Sequence, residues 1–222
     1  MSVQSSDIKF YLTGAGSDGG VQADPDASLG AYRSSTEITS AEVNNLFDNI
    51  SSAEASAGDT DYRCICVKNN SLETLFNVIA WIYAENDPDS IQQFSYAVET
   101  PATADLTDGY AQTIGDEDTP PSVNTTGEVG TGSGISNWSN ATSKATGVSP
   151  EQGAHDDDLD QSEIIFIWLR RVISSSAPAR TGLSATMRIE GDTNWCGTTT
   201  YNNLQPLWAI DNMKKRDSII GM

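Results

Sequence analysis

Basic side chains are scarce in this sequence: 12 Lys and Arg stand against 31 Asp and Glu in 222 residues, for a formal net charge of -19. Such a surface repels phosphate backbones and anionic headgroups, which argues against nucleic-acid and membrane partners. Histidine is rarer still. His155 stands alone in a run of aspartates, so acid-base triads and His-rich metal centres lack their usual group, and His155 reads as a solvated loop residue. No apolar run has the ~20 residues that a membrane span needs. Met1-Ser2-Val3-Gln4-Ser5-Ser6 has neither the basic nor the apolar region of a signal peptide. The expectation is a soluble protein made in a cytoplasm, not an enzyme.

Cysteine is also sparse. Cys64, Cys66 and Cys196 cannot all pair within one chain, and the first two sit too close together for an unstrained bridge. Cys64-Ile65-Cys66 places two sulfurs on one strand face, but a zinc site wants a wrapping spacing and usually four ligands. Buried reduced thiols are the preferred reading.

What the chain does have is β-forming sequence. Charged residues are only 19% and hydrophobic ones 37%, with Ser, Thr, Asn and Gly plentiful, a profile of sandwiches and turns, not helical bundles. Residues 8–12 read as a first strand, followed by a glycine-rich loop from Thr13 through Asp26. Residues 62–68 and 75–84 flank Asn69-Asn70-Ser71 and are expected to form an antiparallel hairpin, the second run being apolar on both faces. Residues 91–98 continue that meander. Residues 164–173 and 183–190 read as a second antiparallel pair, with Leu183, Ala185, Met187 and Ile189 inward. Residues 41–47 could open a helix behind Ser40, but a strand over 45–51 is preferred.

Residues 99–160 change character, rich in Thr, Gly, Ser, Asp and Pro, and read as a long acidic loop or arm. No Lys or Arg occurs between Lys68 and Lys144, a stretch with eleven acidic residues. The expected fold is therefore all-β: an antiparallel β-sandwich, jelly-roll-like in one version, with a body over residues 1–192 and an extended C-terminal docking tail over 193–222.

Candidate chemistry is thin. Asp156, Asp158 and Asp160 could offer hard oxygen ligands to Ca²⁺, but counting from Asp156 the loop positions that need Gly and Glu hold Gln161 and Ile167. Acids beside an apolar strand also guard it against edge pairing, and that reading ranks above calcium. The glycines at 14, 16, 19 and 20 lack the Lys-Ser/Thr pair of a phosphate loop, so no cofactor is expected. The tail is the better candidate. Trp195, Trp208, Lys214, Lys215, Arg216, Ile219 and Ile220 combine aromatic, basic and apolar side chains of the sort that bury themselves on a partner.

Three stretches also carry a resemblance. Gly58-Asp59-Thr60-Asp61-Tyr62-Arg63-Cys64-Ile65-Cys66-Val67-Lys68-Asn69, Ile165-Phe166-Ile167-Trp168-Leu169-Arg170-Arg171 and Arg188-Ile189-Glu190-Gly191-Asp192 resemble structural proteins of tailed-bacteriophage virions over roughly residues 7–192. The resemblance implies a non-catalytic β-sandwich, most like a head decoration (cement) protein on the capsid exterior. It also implies a homo-oligomer, a trimer by preference, bound to the major capsid protein or other virion proteins, and made in a host bacterial cytoplasm. A tail or baseplate component is the nearest alternative. A carbohydrate-binding virion module, stacking sugars on Trp138, Trp195 or Trp208, is the next.

Overall fold

A computed structural model describes residues 3–87, 90–99, 109–122, 135–149, 158–178 and 182–193, and the backbone of 208–210. The chain is all-β, antiparallel and sandwich-like. In order it forms β1 (Ile8–Ala15), β2 (Gly30–Glu37), α1 (Ser52–Ala57), β3 (Asp59–Asn69), β4 (Phe76–Asn86), β5 (Gln92–Val98), β6 (Tyr110–Thr113), β7 (Ile164–Ile173), β8 (Ser184–Asp192) and β9 (Trp208–Ile210). Among the described residues, six strands make one sheet in the order β5-β7-β3-β1-β2-β6, and three make a second in the order β4-β8-β9.

Strand alternation explains how the layers meet. Ile65 and Val67 of β3 and Ile165, Ile167 and Leu169 of β7 pack with Val78, Ala80 and Ile82 of β4 and Ala185, Met187 and Ile189 of β8, forming the core between the sheets. The opposite face of β3 and β7 is apolar too. There Tyr62, Cys64, Cys66, Phe166 and Trp168 form a second cluster with Ala111, Ile114 and Ile135. Two buried faces are why β3 and β7 read as near-continuous apolar runs.

The second face is covered because the large sheet curls on itself. Past Leu12, β1 leaves β3, and the β3 amides of Cys64 and Tyr62 donate instead to the carbonyls of Ser28 (2.7 Å) and Glu117 (2.9 Å). Glycine makes the curl sterically possible. Gly30 has φ +94°, and a Cβ there would fall on the carbonyl oxygen of Gln112. Residues 135–149 then close one side of the sandwich. Ile135 and Ser139 pair with Glu99 and Tyr96 at the β5 edge, and Val148 pairs with Ala80 at the β4 edge. The described parts of the 99–160 stretch are thus laid against the body.

Several expectations are corrected. Residues 62–68 and 75–84 are strands, but they lie in different sheets: β3 pairs with β1 and β7, and β4 with β8. The intervening turn is an arch. Asn69 is buried, its Nδ2 donating to the carbonyls of Glu73 and Leu159 (both 2.8 Å), while Leu75 pairs with Leu159. Likewise β5 pairs with β7, and β8 with β4, so neither the meander nor the second hairpin forms. Local sequence specifies an apolar strand but not which sheet covers it.

Residues 45–51 hold no strand. Leu46, Phe47 and Ile50 are buried from an irregular connection, and Ser51 caps α1 in a capping box, its Oγ accepting from Glu54 N at 3.2 Å while Glu54 Oε2 accepts from Ser51 N at 2.6 Å. Strand β6 lies inside the 99–160 stretch expected as a loop or arm, and β2 lies beyond the glycine-rich loop in a segment with no strand expected.

Candidate functional site

The described residues concentrate their ionisable chemistry where β3 and β7 run side by side. Asp61 is register-paired with Arg171 and Arg63 with Leu169. The alternation that turns Ile65 and Leu169 inward turns Asp61, Arg63 and Arg171 the same way. Phe47 sits under both guanidinium groups, its ring centroid 4.8 Å from the Arg171 Cζ and 5.6 Å from that of Arg63.

Every guanidinium nitrogen in this cluster is directed at an acceptor. Arg171 donates through Nε to Asp61 Oδ2 (2.7 Å), through Nη1 to the Asp48 carbonyl (2.9 Å) and through Nη2 to Asp48 Oδ1 (3.3 Å). Arg63 is fully buried. Its Nε donates to the Leu46 carbonyl (3.1 Å), its Nη1 to the Tyr62 carbonyl (3.2 Å), and its Nη2 to Asp26 Oδ1 (3.0 Å) and Glu117. The two arginines therefore tie three separate connections, around residues 26, 46–48 and 117, to the central strands. Such forked, charge-assisted bonding is what guanidinium geometry favours.

Burial dominates the carboxyl electrostatics. Desolvation pushes the Asp61 carboxyl from an ordinary 3.8 to about 6, against the pull of Arg171, and lifts Asp48 for the same reason. A second buried acid, Glu99, directly follows β5 and is 1% exposed. Its Oε1 accepts from Gln112 N (2.7 Å) and its Oε2 from Trp168 Nε1 (2.8 Å), so it links the two edges of the curled sheet. Burial raises it from 4.5 to about 7, the two hydrogen bonds opposing.

Two carboxylate triads have metal-like spacing, Asp26-Asp48-Glu117 and Asp59-Asp61-Asp118, with oxygens within 4.8 Å of one another. The first already faces Arg63 and Arg171. In the second, Asp61 is held by Arg171 and Asp59 Oδ1 accepts from Thr60 N. The arginines thus supply the positive charge that a hard cation would otherwise bring.

Most of the residues singled out from sequence fall outside what the structure describes. Trp195, Lys214, Lys215, Arg216, Ile219, Ile220, His155, Asp156 and Cys196 lie outside the described residues. The backbone of Trp208 lies in β9, paired with Met187 of β8. Asp158 Oδ1 accepts from Asn77 N (2.9 Å) and Asp160 takes the Thr74 hydroxyl, so both acids pin the approach to β4. Trp138 is half-buried, its ring tilted against that of Tyr62 (centroids 5.7 Å apart) and beneath Arg170 (4.9 Å). The Cys64 and Cys66 thiols are free, fully buried and pushed up by that burial.

The arginine cluster escaped the sequence reading, although it left a signal: Arg63 and Arg171 interrupt strands that are otherwise apolar on both faces, where unpaired charge is rare. No family model matches the chain, and no curated protein matches it.

Proposed function

We propose that this protein works by adhesion to other protein chains, as a structural component of a tailed-phage virion, and that it decorates the outside of the head lattice as a homo-oligomer. The observation that carries this reading is on the three-stranded sheet. Tyr83 of β4 is 48% exposed, and the Arg188 Cζ lies 3.7 Å from its ring centroid, with Arg188 Nε lacking a hydrogen-bond partner. A half-exposed Tyr packed on an Arg guanidinium is the composition of an interface anchor. The C-terminal extension joins this same sheet through β9.

The buried chemistry supports adhesion in a second way. Arg63, Arg171 and Glu99 are each hydrogen-bonded within the body, holding connections to strands. A cement role uses many copies and avidity in place of one tight site, and the acidic surface keeps particles dispersed. The test is imaging of purified particles with the chain located in the map. Hundreds of copies on the head lattice are expected, and Tyr83→Ala with Arg188→Ala should lower occupancy of stripped heads. A handful of copies at the tail would replace decoration with a baseplate role. A chain missing from particles would overturn the virion reading.

A further inference from the structure

One end of the sandwich carries an acidic notch of about 450 Å³, lined by Glu85, Asp87, Ser90, Gln92, Gln93, Val172 and Ser174. It lies where β4 ends, β5 begins and β7 ends, and among the described residues no basic side chain lines it. Two polar atoms there are buried without a partner, Asp87 Oδ1 and Gln92 Nε2. Gln92 as a whole is only 7% exposed. The other oxygen of Asp87 accepts from Gln92 N at 2.8 Å, which fixes the Asp87 carboxylate over the notch.

The unsatisfied pair defines what fits. Asp87 Oδ1, with the Glu85 carboxylate beside it, asks for a cation or a strong donor. Gln92 Nε2 is a donor and asks for an acceptor. A bare metal ion or a free amine answers the carboxylates and leaves the amide unpaired. A basic peptide answers both, with an ammonium or guanidinium for the acids and a backbone carbonyl for the amide.

Sheet topology brings such a peptide to this end of the molecule. Ala185 of β8 pairs with Glu85 of β4 on one side and with Ile210 of β9 on the other. Ile210 therefore stands two strand spacings, about 10 Å, from Glu85 in the same row. Strands β4 and β9 are both antiparallel to β8, so the chain leaves β9 at the end of the sheet where the notch lies. From Ile210 to Lys214 it reaches up to about 14 Å when extended. The residues that follow include Lys214-Lys215-Arg216, the longest basic run in the sequence. Lys9, Arg33, Arg63, Lys144, Arg171 and Arg188 are already engaged with carboxylates of the body.

We propose that the notch at Glu85, Asp87 and Gln92 docks the Lys214-Lys215-Arg216 run of the same chain, and so parks the C-terminal segment against the body until a partner competes for it. This device needs no capsid, so its failure leaves the adhesion reading standing.

The test is limited trypsin digestion of the full-length chain. Cleavage after Lys214, Lys215 and Arg216 is followed by mass spectrometry and normalised to a free peptide of residues 208–222. Docking predicts cleavage about tenfold slower in the wild type than in Glu85→Gln/Asp87→Asn, since proteolysis tracks the undocked population. It also predicts protection that is independent of protein concentration and lost by about 0.5 M NaCl. Should the double variant fail to melt cooperatively, the salt titration of the wild type decides alone. Equal rates in wild type and variant, or protection indifferent to salt, overturn the proposal. Protection that grows with protein concentration also overturns it, because the occupant is then a second copy.

Discussion

Moving the protein from pH 8 to pH 5 should stabilise it, and the size of the effect follows from two buried acids. Glu99 is raised from 4.5 to about 7 and Asp61 from 3.8 to about 6, burial being the leading cause at both. The fold therefore prefers their protonated forms. A raised carboxyl contributes stability that is fully present below its unfolded-state value and is lost as pH climbs through the folded-state one. The window runs from about pH 4 to just above pH 7. Between pH 8 and pH 5, Glu99 contributes about 2–3 kcal/mol and Asp61 about 1–2 kcal/mol. Asp48, Glu85 and Asp118 are displaced in the same direction, and self-repulsion at a net charge of -19 relaxes on acidification.

The assay is urea unfolding followed by tryptophan emission, for which buried Trp81 and Trp168 are reporters. A gain of about 4 kcal/mol moves the midpoint up by roughly 1.5 M at pH 5 relative to pH 8. Glu99→Gln keeps an acceptor for Gln112 N but places a donor against Trp168 Nε1, so it lowers absolute stability while removing more than half of the pH dependence. A midpoint at pH 5 equal to or below that at pH 8 would refute the assignment of both acids.

Three further outcomes follow. Arg171→Met strands the Asp61 carboxyl and should cost about 3–5 kcal/mol at pH 8, whereas adding Asp61→Asn should recover most of it; denaturant midpoints of the single and double variants check this. Gly30→Ala forces a Cβ onto the Gln112 carbonyl at φ +94° and should cost more than about 2 kcal/mol, read as a fall in thermal midpoint. Cys64 and Cys66 should resist a thiol reagent in the folded protein by at least about 100-fold relative to urea-unfolded chain; rapid native labelling of either, mapped by mass spectrometry, would contradict their burial.

Strand identity was legible where a segment is apolar over its whole length. Residues 164–173 coincide with β7, and the inward set Leu183, Ala185, Met187 and Ile189 is buried. Pairing was not legible. Asn69-Asn70-Ser71 has the composition of a hairpin turn, but Asn69 spends its side chain on Glu73 and Leu159 and carries the chain from one sheet to the other. Strands β2 and β6 escaped for a different reason: Gly30-Ala31-Tyr32-Arg33-Ser34-Ser35-Thr36-Glu37 and Tyr110-Ala111-Gln112-Thr113 are too polar and small to show a period of two. They are strands because the curled sheet supplies them with partners.

The same curl bears on where the molecule can meet others. A flat sheet this apolar on two faces would need a second layer on each. Here one face takes the three-stranded sheet, and the other takes the sheet's own β6 and the connections around Ser28, Glu117 and Ile135. Residues 135–149 occupy the β5 and β4 edges. Among the described residues, the surfaces left open include the Tyr83 and Arg188 end of the outer face of β4 and β8, the far side of β9 and the notch at Glu85 and Asp87. All three belong to or adjoin the three-stranded sheet. A protein that turns Arg63 and Arg171 inward and gathers Tyr83, Arg188 and an edge strand on one small sheet has separated what holds it together from what it can offer a neighbour. Substitutions at Tyr83 or Arg188 should accordingly alter association with little effect on the urea midpoint, whereas those at Arg63 or Arg171 should do the reverse.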